Sequence, residues 1–228
     1  MQAKGHALSG AATFLAVAPT LSIPPAAVLV GTLLCAGAAT APDLDHPGST
    51  ITRTGGLATR AVGVAIRALA GGHRQATHSL LFVAAAASAV HLFVVGPPAV
   101  VPAAAIVGGL VAVAGPLLAA SFGGRVSLLG FVVAAAGCAG LVLGGRVPIN
   151  DWFTVAVAGG LLVHVVGDML TPEGVPLLWP WRRRFGVGLF RTAGIAEQVV
   201  TVALALATFG LAVRALLWAH GVDVAGPG

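Results

Sequence analysis

Three short blocks of this chain hold the residue types that bind divalent metals. They read Pro42-Asp43-Leu44-Asp45-His46-Pro47, Gly72-His73-Arg74-Gln75-Ala76-Thr77-His78-Ser79 and His164-Val-Val-Gly-Asp168, and His6 stands apart near the start. Imidazoles mixed with carboxylates suit zinc, manganese or iron better than calcium. His164 and Asp168 are four residues apart, so on a helix they share a face. The Asp can ligate beside the His or orient it from behind; an interhelical hydrogen-bonded pair is the plainer alternative. Asp43 and Asp45, bracketed by prolines, point the same way if their turn is extended. Paired carboxylates can bridge two cations in hydrolytic sites. The competing account is a solvated turn that ends a helix, although an Asp there opposes the macrodipole.

In the second block, Gly71-Gly72 ends one helix and Thr77 is suited to cap the next. Free backbone N–H groups at that helix start would face an anion. Arg74 would add a bidentate grip on phosphate, with the flanking imidazoles of His73 and His78 suited to zinc. A loop with incidental histidines is the alternative. Glu173, after Thr171-Pro172, reads either as a general base or as part of an ordinary turn. His46 is as readily a turn residue as a ligand. His91 and His220 fall near the opposite face and are given no role.

These residues sit in an unusually apolar chain. Of 228 residues, 57% are hydrophobic and 8% charged, and the mean hydropathy is +0.98. Soluble domains carry roughly 25% charged residues. The composition therefore specifies an all-α, polytopic integral membrane protein, read as one membrane-embedded domain over 1–228. Ionisable residues inside such a chain are functional candidates by default. The net charge of +5 is attributed to arginines at the cytoplasmic face, and no nucleic-acid partner is expected. Cys35 and Cys138 lie in apolar runs and read as packing residues. The first apolar run reads as a retained span, not a cleaved signal peptide, because His6 belongs to the candidate site.

A span needs about 20 apolar residues. Seven candidates emerge, at 7–23, 25–41, 78–96, 98–120, 126–145, 152–170 and 195–219, with Pro or Gly at most junctions. Segment 57–70 is different. Arg60 and Arg67 share one helical face among apolar residues, which predicts an amphipathic helix lying on the membrane surface; an eighth span would bury both arginines. With the N-terminus in the cytoplasm, ten of the twelve basic residues fall inside: Lys4, Arg53, Arg60, Arg67, Arg74, Arg125, Arg182, Arg183, Arg184 and Arg191. That orientation places His6, Asp43, Asp45, His73, His78 and Asp168 at the cytoplasmic face, with His164 about one turn deeper.

The blocks together resemble the YdjM-type family of membrane-bound, metal-dependent hydrolases. The resemblance rests on the early His6, on Pro42-Asp43-Leu44-Asp45-His46, on His73-Arg74 with Thr77-His78-Ser79, and on His164 and Asp168 followed by Thr171 and Gly174, across about residues 1–180. It implies an inner-membrane protein with hydrolase activity. More distantly, the arrangement is similar to zinc-dependent phospholipase C and related nucleases, although the chain has no second His-x-x-x-Glu pair.

The expected function is hydrolysis of a phosphoester, with a membrane lipid as the preferred substrate, at a divalent metal, zinc by preference. His6, Asp43, Asp45, His78, His164 and Asp168 are the expected ligands. His73 is a further ligand or a general acid, and Arg74 holds the phosphate. Trp179-Pro180-Trp181-Arg182-Arg183-Arg184 joins interfacial aromatics to a basic run. It reads as a topology anchor or as a device for lipid capture. Two other classes stay open: a transporter or metal-handling protein, which would need a polar route across the bilayer, and a structural membrane protein with a bound metal.

Overall fold

Proline, glycine and capping residues place the helix ends close to where the sequence puts them. The computed structural model describes residues 1–54, 56–95, 100–124 and 128–220. Its helices are α1 (Ala3–Val17), α2 (Pro25–Ala38), α3 (Thr50–Thr54), α4 (Gly56–Ala70), α5 (Leu80–Val95), α6 (Val100–Ser121), α7 (Leu128–Leu143), α8 (Asp151–Met169) and α9 (Ile195–Ala219). The Gly96-Pro97-Pro98 junction and Arg125 lie outside the described residues. Pro25 starts α2, where its missing N–H costs nothing. The Asn150 side chain accepts from Trp152 N at the start of α8.

The protein is an all-α membrane bundle. An apolar helix occupies each of the seven expected span positions. Among the described residues, four segments are long and apolar enough to cross a bilayer: Pro25–Asp45, Val100–Ser121, Asp151–Met169 and Ile195–Ala219. α5 and α7 are apolar but shorter. α1 begins at Ala3, earlier than expected, so His6 sits in its first turns. α4 forms over the segment expected to be amphipathic. It is buried at Gly63 and Ala70 and rests on the turn after α2.

α2 is central, packing on α1, α6 and α8, while α9 lies against α1 and α5 against α8. Phe14, Val30, Leu34, Trp152 and Phe153 fill the space between them. Backbones approach closely, as small residues allow in membrane helices. A Cβ at Gly10 or Gly160 would stand 2.6 or 2.4 Å from the Cys35 carbonyl oxygen. This packing brings the start of α1, the end of α2, the turn before α5 and the end of α8 together.

Candidate metal centre

Asp43 and Asp45 lie in a short 3-10 turn, Ala41–Asp45, opened by Pro42. The sequence suggested an extended turn with both carboxylates on one side. In a 3-10 turn residues two apart point about 120° from each other, and here they diverge. Asp43 Oδ1 lies 3.7 Å from His78 Nε2 and 3.8 Å from His164 Nε2. Asp45 turns to the other side of His78. Its Oδ1 is 2.6 Å from His73 Nδ1. Its Oδ2 accepts from the Arg74 backbone N–H at 3.1 Å and the Thr77 hydroxyl at 2.5 Å.

The second block is arranged differently from the helix start expected of it. Ser79, not Thr77, caps α5, since its Oγ accepts from Phe82 N, while the Thr77 hydroxyl is committed to Asp45. Leu80 N donates to Leu177 O. The N–H groups expected to meet an anion are thus partly used.

The tautomers of the two central histidines follow from their partners. His164 Nδ1 lies 2.7 Å from the Ala39 carbonyl oxygen. A carbonyl only accepts, so Nδ1 carries the proton and Nε2 of the neutral ring has a lone pair. Thr77 has given its proton to Asp45, so its oxygen accepts from His78 Nδ1 at 3.0 Å, which leaves the His78 Nε2 lone pair inward. The two Nε2 atoms are 3.0 Å apart. Asp168 Oδ2 stands 3.6 Å from one and 3.8 Å from the other. Lone pairs and carboxylate charge so close repel unless a proton or a metal cation lies among them, and Arg74 and the Met1 amino group answer Asp168 alone. An ion about 2.0–2.2 Å from each donor separates neighbouring donors by roughly 3.0–3.6 Å, close to the spacings found. The donor set fits a divalent metal.

Burial opposes charge on His78, but Asp43 and Asp45, and then Asp168, outweigh it and raise the ring above its ordinary value. The same carboxylates would hold a metal ion in place of that proton. His6 is buried and stacked on His164, ring centres 3.9 Å apart, and its Nε2 lies 3.2 Å from Asp168 Oδ1. Among the described residues, three overlapping groups of side chains could hold an ion: His6, Asp43 and His164; Asp43, His73 and His78; and His78, His164 and Asp168, with the donor atoms of each within 4.8 Å of one another. Asp45 is in none of them. Neither is His46, whose Nδ1 accepts from Gly48 N.

Arg74 reaches Asp168 Oδ2 at 2.9 Å and Glu173 Oε2 at 3.6 Å. Glu173 is 58% exposed. Its carboxyl is held below the usual value by its own backbone N–H and the Thr171 hydroxyl, with Arg74 adding to this, which suits an ion pair better than a general base. Beside the buried donors opens a cleft of about 350 Å³ lined by His73, Arg74, Glu173, Arg184 and Thr192. Arg184 and Glu173 reach it because the segment after α8 folds back on itself. Val175 and Phe185 exchange backbone hydrogen bonds, and Val187 N donates to Met169 O.

Glu197 escaped the sequence reading. It is 2% exposed and accepts from the Gln2 and Ala193 backbone N–H groups, joining the start of α9 to the start of α1 near His6. It is the third residue after the N-cap Gly194, in the first turn of α9 where an acid suits the helix dipole. The amino group of Met1, 2.5 Å from Asp168 Oδ1, was not foreseen either.

The chain spans a third of the length of the curated relatives it matches. The Inner membrane protein YdjM of Escherichia coli (strain K12) is 41% identical over 66 residues, which cover 26% of this chain and 33% of the relative. The protein of the same description from Shigella flexneri matches to the same extent. No solved structure matches. The family model described as YdjM inner membrane protein runs over residues 1–222 and so takes in all of the buried donors and the cleft. With that coverage, the chain belongs to the YdjM family of inner membrane proteins.

Proposed function

We propose that this protein is a metal-dependent phosphoester hydrolase acting at the cytoplasmic face of the inner membrane. What carries the proposal is the convergence of the His78 and His164 Nε2 lone pairs with Asp43 and Asp168, beside a cleft that contains two arginines. His78, His164 and Asp168 would hold the ion, zinc by preference and manganese or iron otherwise, and Asp43 and His6 of the overlapping groups offer further donors. Asp45 acts as an orienting partner, not a ligand. A divalent metal there supplies a Lewis acid and an activated water.

The chain's own residues do the rest. Arg74 and Arg184 bind the phosphate and offset the charge that grows on it. His73, held through Nδ1 by Asp45, gives a proton to the leaving oxygen as the P–O bond breaks. Its 30% exposure at the cleft leaves the ring within reach of substrate. The arginine bias supports the cytoplasmic orientation.

A membrane-anchored phosphoester fits better than a soluble one. Trp181 is 57% exposed, the Arg183 guanidinium lies 5.9 Å from its ring centre, and the segment continues directly into Arg184. Metal analysis of purified protein, then hydrolysis of a phospholipid in vesicles and of a short soluble phosphoester, tests the proposal. Chelation should abolish turnover and metal return should restore it. Stoichiometric metal with no turnover of either substrate would reject the enzyme and leave a structural metal protein. Replacing Arg182 and Arg183 by Gln should slow hydrolysis in anionic vesicles more than in solution; equal losses would reject the lipid assignment alone.

A further inference from the structure

Helix α4 presents a second feature, one that metal chemistry leaves unused. It packs on the turn at 41–45 through Gly63, where a Cβ would meet the Leu44 carbonyl oxygen at 2.7 Å. At 100° per residue, Arg60 and Arg67 fall along one edge of that packed strip, and the arc beyond them is apolar. Leu57 is 83% exposed, Leu69 85% and Val64 67%. Arg60 and Arg67 line a cavity of about 320 Å³ with Pro47, Thr52, Gly63 and Val64. Among the described residues the arginine–carboxylate pairs are those of Arg74. The cavity therefore has two positive charges and no carboxylate to answer them.

We propose that α4, with Pro47 and Thr52 beside it, binds the headgroup of an anionic phospholipid. The phosphate lies between Arg60 and Arg67, and Leu57, Val64 and Leu69 lie among the acyl chains. A phosphate in solution would answer the arginines but leave the apolar arc in water. A bilayer of anionic lipid answers both, as for interfacial helices with basic and apolar faces. Each arginine near an anionic surface is worth about fivefold in affinity. The site also touches the turn that presents Asp43 and Asp45. Thr52 lines the cavity and donates to His46 O at 2.9 Å, and Arg67 Nη1 lies 3.5 Å from Asp45 O. Bound lipid braces that turn. None of this rests on the hydrolase proposal; a protein that holds metal without turnover would keep the site.

The test uses the full chain in nanodiscs of phosphatidylcholine, with and without phosphatidylglycerol, and reads backbone hydrogen exchange over 56–70. Phosphatidylglycerol should slow exchange there several-fold, and high salt should shrink the effect by screening. Arg60→Gln with Arg67→Gln should remove it while exchange in α2 and α8 stays unchanged. Equal exchange in both discs, slowing that survives high salt, or slowing retained by a correctly folded double variant would overturn the proposal. Glycerol phosphate added to phosphatidylcholine discs should have no effect; slowing equal to that of phosphatidylglycerol would overturn the lipid as the source.

Discussion

A methyl group added at Gly160 on α8 would stand 2.4 Å from the Cys35 carbonyl oxygen, whereas one added at Gly140 on α7 or Gly210 on α9 would meet nothing within 4 Å. By hydropathy the contrast runs the other way. α9 is the more apolar of the two, yet α8 buries ten residues, including Trp152, His164 and Asp168, and α9 buries Glu197 and Thr208. In a bilayer, apolar character does not mark the inside, because lipid is as apolar as the core. Polar side chains and glycines in backbone contact mark it instead. The candidate metal centre stands at the end of the tightly packed α1–α2–α8 group, where close helices fix donor positions to fractions of an ångström.

The largest effects should come from the donors at the end of that group. His164→Ala and Asp43→Asn should each lower metal affinity by more than the roughly 10–100-fold typical of an outer partner. Metal content after dialysis against a graded chelator measures it. Unchanged stoichiometry in both would dissolve the distinction between the two regions. Asp45→Asn should fall within that range of about 10–100-fold, because it removes the group that orients His73 and His78 and leaves the proposed ligands in place. A loss as large as that of Asp43→Asn would return Asp45 to the ligand set.

Gly160→Ala should destabilise the protein by about 1–3 kcal/mol through overpacking and lower metal content by moving α8. Gly140→Ala should stay within about 0.5 kcal/mol of the parent. Unfolding in mild detergent compares them, and equal shifts would erase the packing contrast. The smallest and sharpest test sits in adjacent turns. Ser79→Ala should cost about 1 kcal/mol as a lost helix cap with metal affinity intact. Thr77→Val should do the reverse, weakening metal through Asp45 and His78. Matching profiles for the two variants would contradict the observed exchange of roles.

Much of this protein was legible in its residues. The helix positions followed from apolar runs and from junction residues such as Pro25 and Gly71-Gly72. The amphipathic character of α4 followed from the seven-residue spacing of Arg60 and Arg67. The pairing of His164 with Asp168 followed from helical geometry. The role of Glu197 was not legible, because its partners are the backbone N–H groups of Ala193 and of the distant Gln2. The direction of Asp45 was not legible. Proline-bracketed turns can be extended or 3-10, and the choice reverses which side chains face together.

The sequence by itself determined the membrane environment, the helical class and the types of chemistry at the polar end, because hydropathy and short spacings are properties of neighbouring residues. Tertiary structure alone decided that Asp43 and Asp45 approach opposite nitrogens of His78, that the Ala39 carbonyl and Thr77 set the tautomers of His164 and His78, and that Arg184 joins Arg74 at one cleft. These are meetings of segments up to 125 residues apart. They depend on how closely helices pack at Gly10 and Gly160, which no local pattern encodes.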